Sequence, residues 1–440
     1  MISAFLRLMP EKVSKNTYFF RFFATKPEKV CYTSHMIRRE YYLAKLRNLQ
    51  DTNLIKVATG IRRAGKSTLL QLFRQELIDN SVDRAATQYI NFEEPAYYRP
   101  DDWRGIYNEI VSQLVPGEKN YIFLDELQNI KEFERLVDGL FVHPDVDLYV
   151  TGSNAYLLSS ELATLLSGRY IEIHVLPLSF AEYFEFFADD ASLDRTEKFE
   201  RYMRLGGFPE VANFLHDGLD SQIPDYLNMV YGTVVEKDIM TRYNFAPNPV
   251  FDGVLRFAFD SVGSLLSPNN IKNTINTARK FETKVSLERV DNYLRAFTES
   301  FILYQANRYD IRGKDLLKTL HKYYCVDTGL RSTMLGKESA DSGHLLENVV
   351  YLELLRRGNQ VWVGKIDEKE VDFVVRTPAG YTEYYQVAET MLGEATRERE
   401  LAAVGKINDH SPKHIITRDP GETSYNGIRQ INVIDWLLEA

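Results

Sequence analysis

The sequence predicts an α/β fold whose first half is a parallel sheet covered by helices on both faces. Three observations carry this. Short apolar runs at Leu54–Thr59, Gln88–Phe92, Tyr121–Leu124, Asp147–Thr151 and Tyr170–Val175 alternate with segments of helical periodicity, the pattern of strands joined by crossover helices. The first run leads into Gly60-Ile61-Arg62-Arg63-Ala64-Gly65-Lys66-Ser67-Thr68, which fits a phosphate-binding loop between a strand and a helix. The third run ends in an acidic pair, Asp125 and Glu126.

The elements follow in order. An amphipathic helix is expected from Met36, through Tyr41, Leu43 and Leu46. After the glycine-rich loop, Leu69, Leu70, Leu72, Phe73 and Leu77 space a helix over Ser67–Asn80. Beyond Pro177 the pattern changes, and residues 179–245 read as helical with no convincing strand. Residues 246–335 read as helices followed by a β-ribbon. Ser267-Pro268 starts one helix there, and Ser286 starts the next as a capping-box pattern. The ribbon is expected at Phe301–Tyr304 and Tyr323–Val326, with Gly313 between them. Three helices and a ribbon is the order of a winged helix. Residues 336–440 return to mixed α/β: a helix from Leu345, strands near Val361, Val371–Val375 and Tyr384–Val387, then helix, strand, helix.

The bulk properties set limits. A chain of 440 residues exceeds one compact core of about 100–200 residues, so two to four domains are expected. No apolar run approaches the roughly 20 residues of a membrane helix, which excludes a membrane-spanning protein. The net charge of −9 argues against a surface coated in nucleic acid, while leaving room for a local basic face. Cys31 and Cys325 share no ligand-like spacing, which fits a reducing, cytoplasmic setting. Residues 1–35 carry six Lys/Arg against Glu11 and Glu28, a net of +4. This leader reads as a disordered or non-native extension ahead of Met36, or as a targeting segment.

The loop chemistry is specific. Gly60 and Gly65 let the backbone curl so that its N–H groups face phosphate oxygens, and the following helix points its positive end at the same anion. Residues Gly60 through Thr68 therefore form the expected nucleotide-binding set, with ATP and Mg²⁺ as its occupants. ATP and GTP share these phosphate contacts, and no guanine-reading motif is evident. Lys66 supplies charge to the outer phosphates, and Ser67 a hydroxyl ligand for Mg²⁺. Asp125 is assigned to the metal shell and Glu126 to general-base catalysis on the attacking water. Ser153 or Asn154, after the fourth strand, orients that water or merely closes a turn. Arg169 is an arginine finger reaching a neighbouring copy, or a surface arginine. Arg62 and Arg63 touch phosphate or face solvent.

Taken together, Gly60–Thr68, Leu124–Gln128, Thr151–Asn154, Ser167–Arg169, Leu176–Phe180, Gly206–Glu210, Lys322–Tyr324, Asp327–Leu330, Glu370–Phe373 and Gln386–Ala388 resemble the AAA-type ATPases of bacteria and archaea that carry a C-terminal domain of unknown function. The resemblance runs from about Met36 to the C-terminus. It implies an AAA+ core at 36–178, a helical lid at 179–245, a winged-helix segment at 246–335, and at 336–440 a domain similar to PD-(D/E)xK nucleases, which resemble restriction endonucleases in fold.

In such a nuclease, Glu347 and Asp372 fit two carboxylate positions. Gln386 holds the third and Ala388 the lysine position, so a degenerate remnant is expected; Lys365 or Lys369 are the nearby substitutes. Lys272, Arg279, Lys280, Lys284, Arg289, Arg295, Arg308, Arg312, Lys314 and Lys318 give the winged helix a face for DNA, diluted by Glu282, Glu288, Asp291 and Glu299, which suits a client protein instead. The expected activity is ATP hydrolysis driving rearrangement of the attached domains, with a homo-oligomer as the setting for Arg169. A nucleotide-gated binding switch and an ATP-dependent nuclease are the alternatives.

Overall fold

The computed structural model describes residues 36–153, 155, 168–246, 248–277, 284–336 and 342–439, without the side chains of residues 318 and 319. Helix α1 (Glu40–Leu49) precedes β1 (Ile55–Thr59), α2 (Lys66–Asp79), β2 (Thr87–Asn91), α3 (Trp103–Ser112), β3 (Asn120–Asp125), α4 (Phe133–Phe141), β4 (Val146–Gly152) and β5 (Tyr170–His174). The five strands pair in parallel in the order β2-β3-β4-β1-β5.

Alternation along each strand explains the two covered faces. Ile55, Val57, Ile122, Leu124, Leu148 and Val150 pack on one side against Ile106, Ile110, Leu136 and Leu140 of α3 and α4. Ala58, Phe123 and Tyr149 point the other way, into a core shared with Leu69, Phe73 and Leu77 of α2 and Tyr42 and Leu43 of α1. Lys56 also points inward, where its buried ammonium pairs with Asp147. Asp147 in turn accepts from the Asp51 N–H at 2.9 Å and the Tyr149 hydroxyl at 2.7 Å, the satisfaction a buried ion pair requires.

Residues 179–245 are helical, as expected: Phe180–Phe186, Arg195–Leu205, Pro209–His216, Ile223–Thr233 and a π-helical stretch Val234–Met240. Two capping boxes start this segment, Ser179 with Glu182 and Asp194 with Glu197. Phe180, Tyr183, Phe199 and Tyr202 bury its aromatic seam. Glu182 also pairs with Arg39 at 2.8 Å, tying the segment to the chain just ahead of α1.

Helices Pro249–Asp260, Pro268–Thr277 and Leu287–Glu299 follow, with β6 (Leu265–Leu266) after the first of them. Ser286 caps the third helix by accepting from the Arg289 N–H at 3.2 Å. The expected capping box is half made, because an arginine at that position has no acceptor to return the bond. The ribbon, β7 (Leu303–Asp310) and β8 (Asp315–Cys325), is longer than the sequence suggested, with Gly313 in its turn. Helices Thr328–Leu335 and Ser342–Arg356 lead to β9 (Gln360–Ile366), β10 (Lys369–Arg376), β11 (Thr382–Ala388), the helix Glu394–Val404, and β12 (Lys413–Thr417). A hairpin, β13 (Thr423–Tyr425) and β14 (Ile428–Asn432), then precedes the last helix, Val433–Leu438. Sequence reading missed this hairpin.

One nine-stranded sheet, β13-β14-β12-β11-β10-β9-β7-β8-β6, runs through both regions. It crosses the expected boundary at residue 335 by parallel pairing of Arg308, Tyr309 and Asp310 with Val363, Gly364 and Lys365. Asp372, expected at a strand end, lies inside β10, where its register with β9 shifts. No helix among the described residues is long and apolar enough to cross a membrane.

Candidate functional site

The glycine-rich loop closes between β1 and α2. Gly60 has φ +138°, and a Cβ there would stand 2.1 Å from the Val175 carbonyl oxygen. Backbone approach this close admits no side chain. Gly65, at φ +93°, turns the chain into α2, whose first N–H groups have no partner within the helix. Arg39 braces the loop from outside: Nη1 donates to Ala64 O at 3.0 Å and Leu176 O at 2.8 Å.

Lys66 is buried, and its ammonium donates to Gly60 O and Ile61 O, both at 3.0 Å. Burial lowers its pKa, against the opposing pull of Glu126. The Ser67 hydroxyl donates to Asp125 Oδ1 at 3.0 Å. Because β4 lies between β1 and β3, its terminal residues fill the gap between loop and acidic pair. Thr151 Oγ1 donates to Asp125 Oδ1 at 2.5 Å and accepts from the Glu126 N–H at 2.9 Å. Tyr89, on β2, donates to Asp125 Oδ2 at 2.7 Å.

Glu126 leaves the strand in the left-handed region, φ 56°, a conformation rare and costly for a residue with a side chain. Its carboxyl is buried and raised in pKa by that burial, opposed by Lys66 and Arg62. Gln128 Nε2 donates to Glu126 Oε2 and to Ser153 Oγ. Ser153 is fully buried and donates to Asp238 Oδ1 at 3.1 Å. Asn154 lies outside the described residues.

Asp238 comes from the π-helical stretch and joins the site without any local sequence signal. It accepts two bonds from Arg62, both at 3.1 Å, while Arg62 Nη1 reaches Glu93 at 2.9 Å. Arg63 and Thr68 are exposed. A cleft of about 970 Å³, lined by Arg62, Glu93, Gln128, Lys237, Asp238 and Arg242, opens beside these groups.

Arg169 stands elsewhere. Its carbonyl accepts from Ile55 N at the start of β1, about 15 Å along the strand from the loop. The guanidinium pairs with Asp138 at 3.0 Å, so within its own chain it does not reach the phosphate loop. His174 does lie beside the loop: its Nδ1 is 3.0 Å from Thr59 Oγ1.

In the C-terminal region, Glu347 and Asp372 come together on the Lys322 ammonium, at 2.8 and 3.5 Å, with Glu370 at 2.7 Å. The lysine at this cluster is therefore Lys322 of β8, correcting the expectation of Lys365 or Lys369. Gln386 accepts from the Asp372 N–H at 3.2 Å and donates to Glu400 at 2.9 Å. Among the basic residues expected to face DNA, Arg312 pairs with Asp367 at 2.7 Å. Arg279, Lys280 and the side chain of Lys318 lie outside the described residues.

Comparison with known proteins places this geometry. The model of an AAA domain matches residues 52–184, and that of a domain of unknown function, DUF8612, matches residues 196–341. An uncharacterized protein of Haemophilus influenzae is 39% identical over 408 residues, covering 92% of this chain and 99% of that one. Another, of Methanocaldococcus jannaschii, is 30% identical over 371 residues, covering 80% and 78%. A solved Walker-type ATPase of Pyrococcus abyssi aligns with 68% of this chain and 96% of its own, at 17% identity and a TM-score of 0.48.

Proposed function

The chain belongs to one family with the Haemophilus and Methanocaldococcus proteins and carries an AAA domain over residues 52–184, and from that premise we propose that it hydrolyses ATP between the Gly60–Thr68 loop and the acidic end of β3. The carrying observation is the 3.0 Å bond from Ser67 to Asp125. It sets a hydroxyl and a carboxylate side by side at the start of α2, an all-oxygen donor pair that suits Mg²⁺. Bound there with ATP, Mg²⁺ supplies charge neutralisation at the phosphates. Lys66, the loop N–H groups and the start of α2 bind the phosphate chain. Glu126 accepts the proton of the attacking water, and its raised pKa fits that role. Ser153 and Gln128 hold the side of the site that the water approaches. Arg169 enters only from a second copy of the chain, since its own site is out of reach.

The attached regions read as a winged helix and a nuclease-like domain. The order of helices, β6 and ribbon over 249–325 supports the first. The order helix, β9, β10, β11, helix, β12 supports the second. ATP turnover then rearranges these regions on DNA or on a client protein. A second reading, a nucleotide-gated switch reset by slow hydrolysis, is favoured by the contact of His174 with both Thr59 and Tyr304, which joins the loop to the ribbon.

The test is Mg²⁺-dependent phosphate release, with and without duplex DNA, by the wild type, Lys66→Ala and Glu126→Gln. Turnover lost in both variants supports the ATPase, and stimulation by DNA assigns the partner. Indifference to DNA moves the partner to protein. Release no greater than that of the variants overturns hydrolysis.

A further inference from the structure

The nuclease-like reading implies Mg²⁺ on Glu347, Asp372 and a third ligand, and the residues present do not fit it. One Glu347 oxygen and both Asp372 oxygens are already committed. Lys322 is 3% exposed at its side chain, and its ammonium has Glu347, Glu370 and Asp372 within 3.5 Å, one carboxylate for each of its three N–H donors. Glu347 Oε1 accepts a second bond, from the Tyr324 hydroxyl at 2.6 Å. Asp372 Oδ2 accepts from the Val387 N–H at 2.9 Å. The carbonyl of Gln386 is turned onto the Asp372 N–H, and Ala388 brings no amine. No group of three or more His, Cys, Asp or Glu among the described residues is arranged to hold a metal ion.

We propose that the Lys322 ammonium is the built-in cation of this cluster, standing where the nuclease fold holds Mg²⁺, so that the cluster takes no divalent ion and the domain cuts no DNA. The inference is independent of ATP hydrolysis. A divalent ion needs the same oxygens at about 2.1 Å, and it enters only by displacing the lysine. Displacement leaves a buried ammonium without its partners, which is strongly unfavourable. Burial opposes the charge on Lys322, but Glu347, Asp372 and Glu370 outweigh it and hold the group protonated.

The backbone shows how the lysine arrives. At the level of Lys322, β8 pairs with Ala306 of β7 and Leu265 of β6. The pairing of β7 with β9 involves residues 308–310, beyond that point. The side chain crosses from the ribbon to the helix Ser342–Arg356 and to β10. A residue of the winged-helix-like region thereby fastens the C-terminal domain, and the cluster serves cohesion in place of cleavage.

Nucleotide-free full-length protein is titrated with Mn²⁺ alone, and free ion is read by electron paramagnetic resonance. The wild type and Asp372→Asn are expected to bind equal amounts. Lys322→Ala is expected to take up one further ion per chain, lost again when Asp372→Asn is added. Mn²⁺ held by the wild type but lost in Asp372→Asn overturns the proposal. A folded Lys322→Ala protein that gains no ion overturns it too. Should Lys322→Ala fail to fold, amine acetylation of the wild type decides, read by peptide mass spectrometry. Lys322 should label far more slowly than Lys131, which is 73% exposed at its side chain, whether or not millimolar Mg²⁺ is present. Faster labelling of Lys322 on adding Mg²⁺ refutes the built-in cation.

Discussion

The hydroxyl of Tyr304 and the Nε2 of His174 form a hydrogen bond of 2.8 Å between β7 and β5. The proton order follows from the neighbours. Thr59 Oγ1 lies against both Glu172 and His174 Nδ1, and its single proton goes to the carboxylate. His174 Nδ1 then carries the proton toward Thr59, and Nε2 accepts from Tyr304. Across the ribbon, Tyr304 is opposite Tyr324, which donates to Glu347. Contacts therefore run from the last residue before the phosphate loop to the C-terminal cluster. His174→Phe keeps a ring against Phe301, 4.6 Å away between centroids, and removes both hydrogen bonds. It should cost about 1–3 kcal/mol in chemical denaturation, because the Tyr304 hydroxyl is left without its acceptor.

The same residue predicts a pH dependence. Burial pushes the His174 pKa down to about 4, with Lys66 adding to the effect, against about 6.5 in an unfolded chain. The unfolded state thus binds a proton that the folded state refuses between these values. Stability is unaffected above about pH 6.5 and falls as the pH drops toward 4. The full shift is worth about 3 kcal/mol, and the measured loss should be smaller because the side chain is 27% exposed. Urea midpoints at pH 7.5, 6 and 5 check this, as rough set points spanning the window. In His174→Phe this part of the slope should vanish.

Asp238 should matter to the loop as much as the motif residues do. It is buried and holds Arg62 through two oxygens while accepting from Ser153. Asp238→Ala leaves Glu93 as the hydrogen-bonded carboxylate on Arg62, with Glu126 acting at longer range, and breaking a buried pair costs about 3–5 kcal/mol. In a double-mutant cycle, Arg62→Ala should absorb most of that loss. A coupling below about 0.5 kcal/mol would mean that the pair is not a working contact.

Glu126→Gln separates binding from chemistry. The amide keeps the shape beside Gln128 but cannot take a proton from water. Phosphate release should fall by about 10²–10⁴-fold, while ATP still raises the melting temperature. Lys66→Ala should lose both, because the charge on the phosphates goes with it. Equal loss of ATP-induced stabilisation in the two variants would remove Glu126 from the base role.

What the sequence disclosed divides along one physical line. The phosphate loop, the strands that carry it and the acidic pair were legible because their chemistry sits in contiguous residues with fixed spacing. The hairpin at residues 423–432 was missed although a signal was there, Asn426-Gly427, both at positive φ in the structure, the turn pair that matches strand twist. Lys322 fell in a motif, Lys322–Tyr324, but nothing local tied it to Glu347 and Asp372, and Asp238 gave no signal. Each reaches its partners from a distant stretch of chain, Lys322 at the edge of an apolar strand run and Asp238 in a helical segment, where a charged side chain ordinarily turns to solvent. Nor did periodicity reveal that Arg308–Asp310 would pair with Val363–Lys365, since register between distant strands is set by tertiary packing.

Gly60 offers the sharpest test of the loop itself. Its φ of +138° is one that side chains rarely adopt, and an added methyl would meet Val175 O at 2.1 Å and Val175 C at 3.1 Å. Both contacts are backbone at the entry to the helical segment, so no side chain can swing aside. Gly60→Ala must move the loop away from Val175, at a cost of about 1–3 kcal/mol. It also shifts Gly60 O, one of the two carbonyls that hold the Lys66 ammonium. The expected result is a modest fall in melting temperature and a disproportionate loss of the ATP-induced rise. Gly65→Ala, whose nearest neighbour is the Pro209 side chain at 3.6 Å, meets strain from φ alone and should lose less. If both variants kept the wild-type nucleotide shift, the close approach to Val175 would not be what shapes the phosphate cradle.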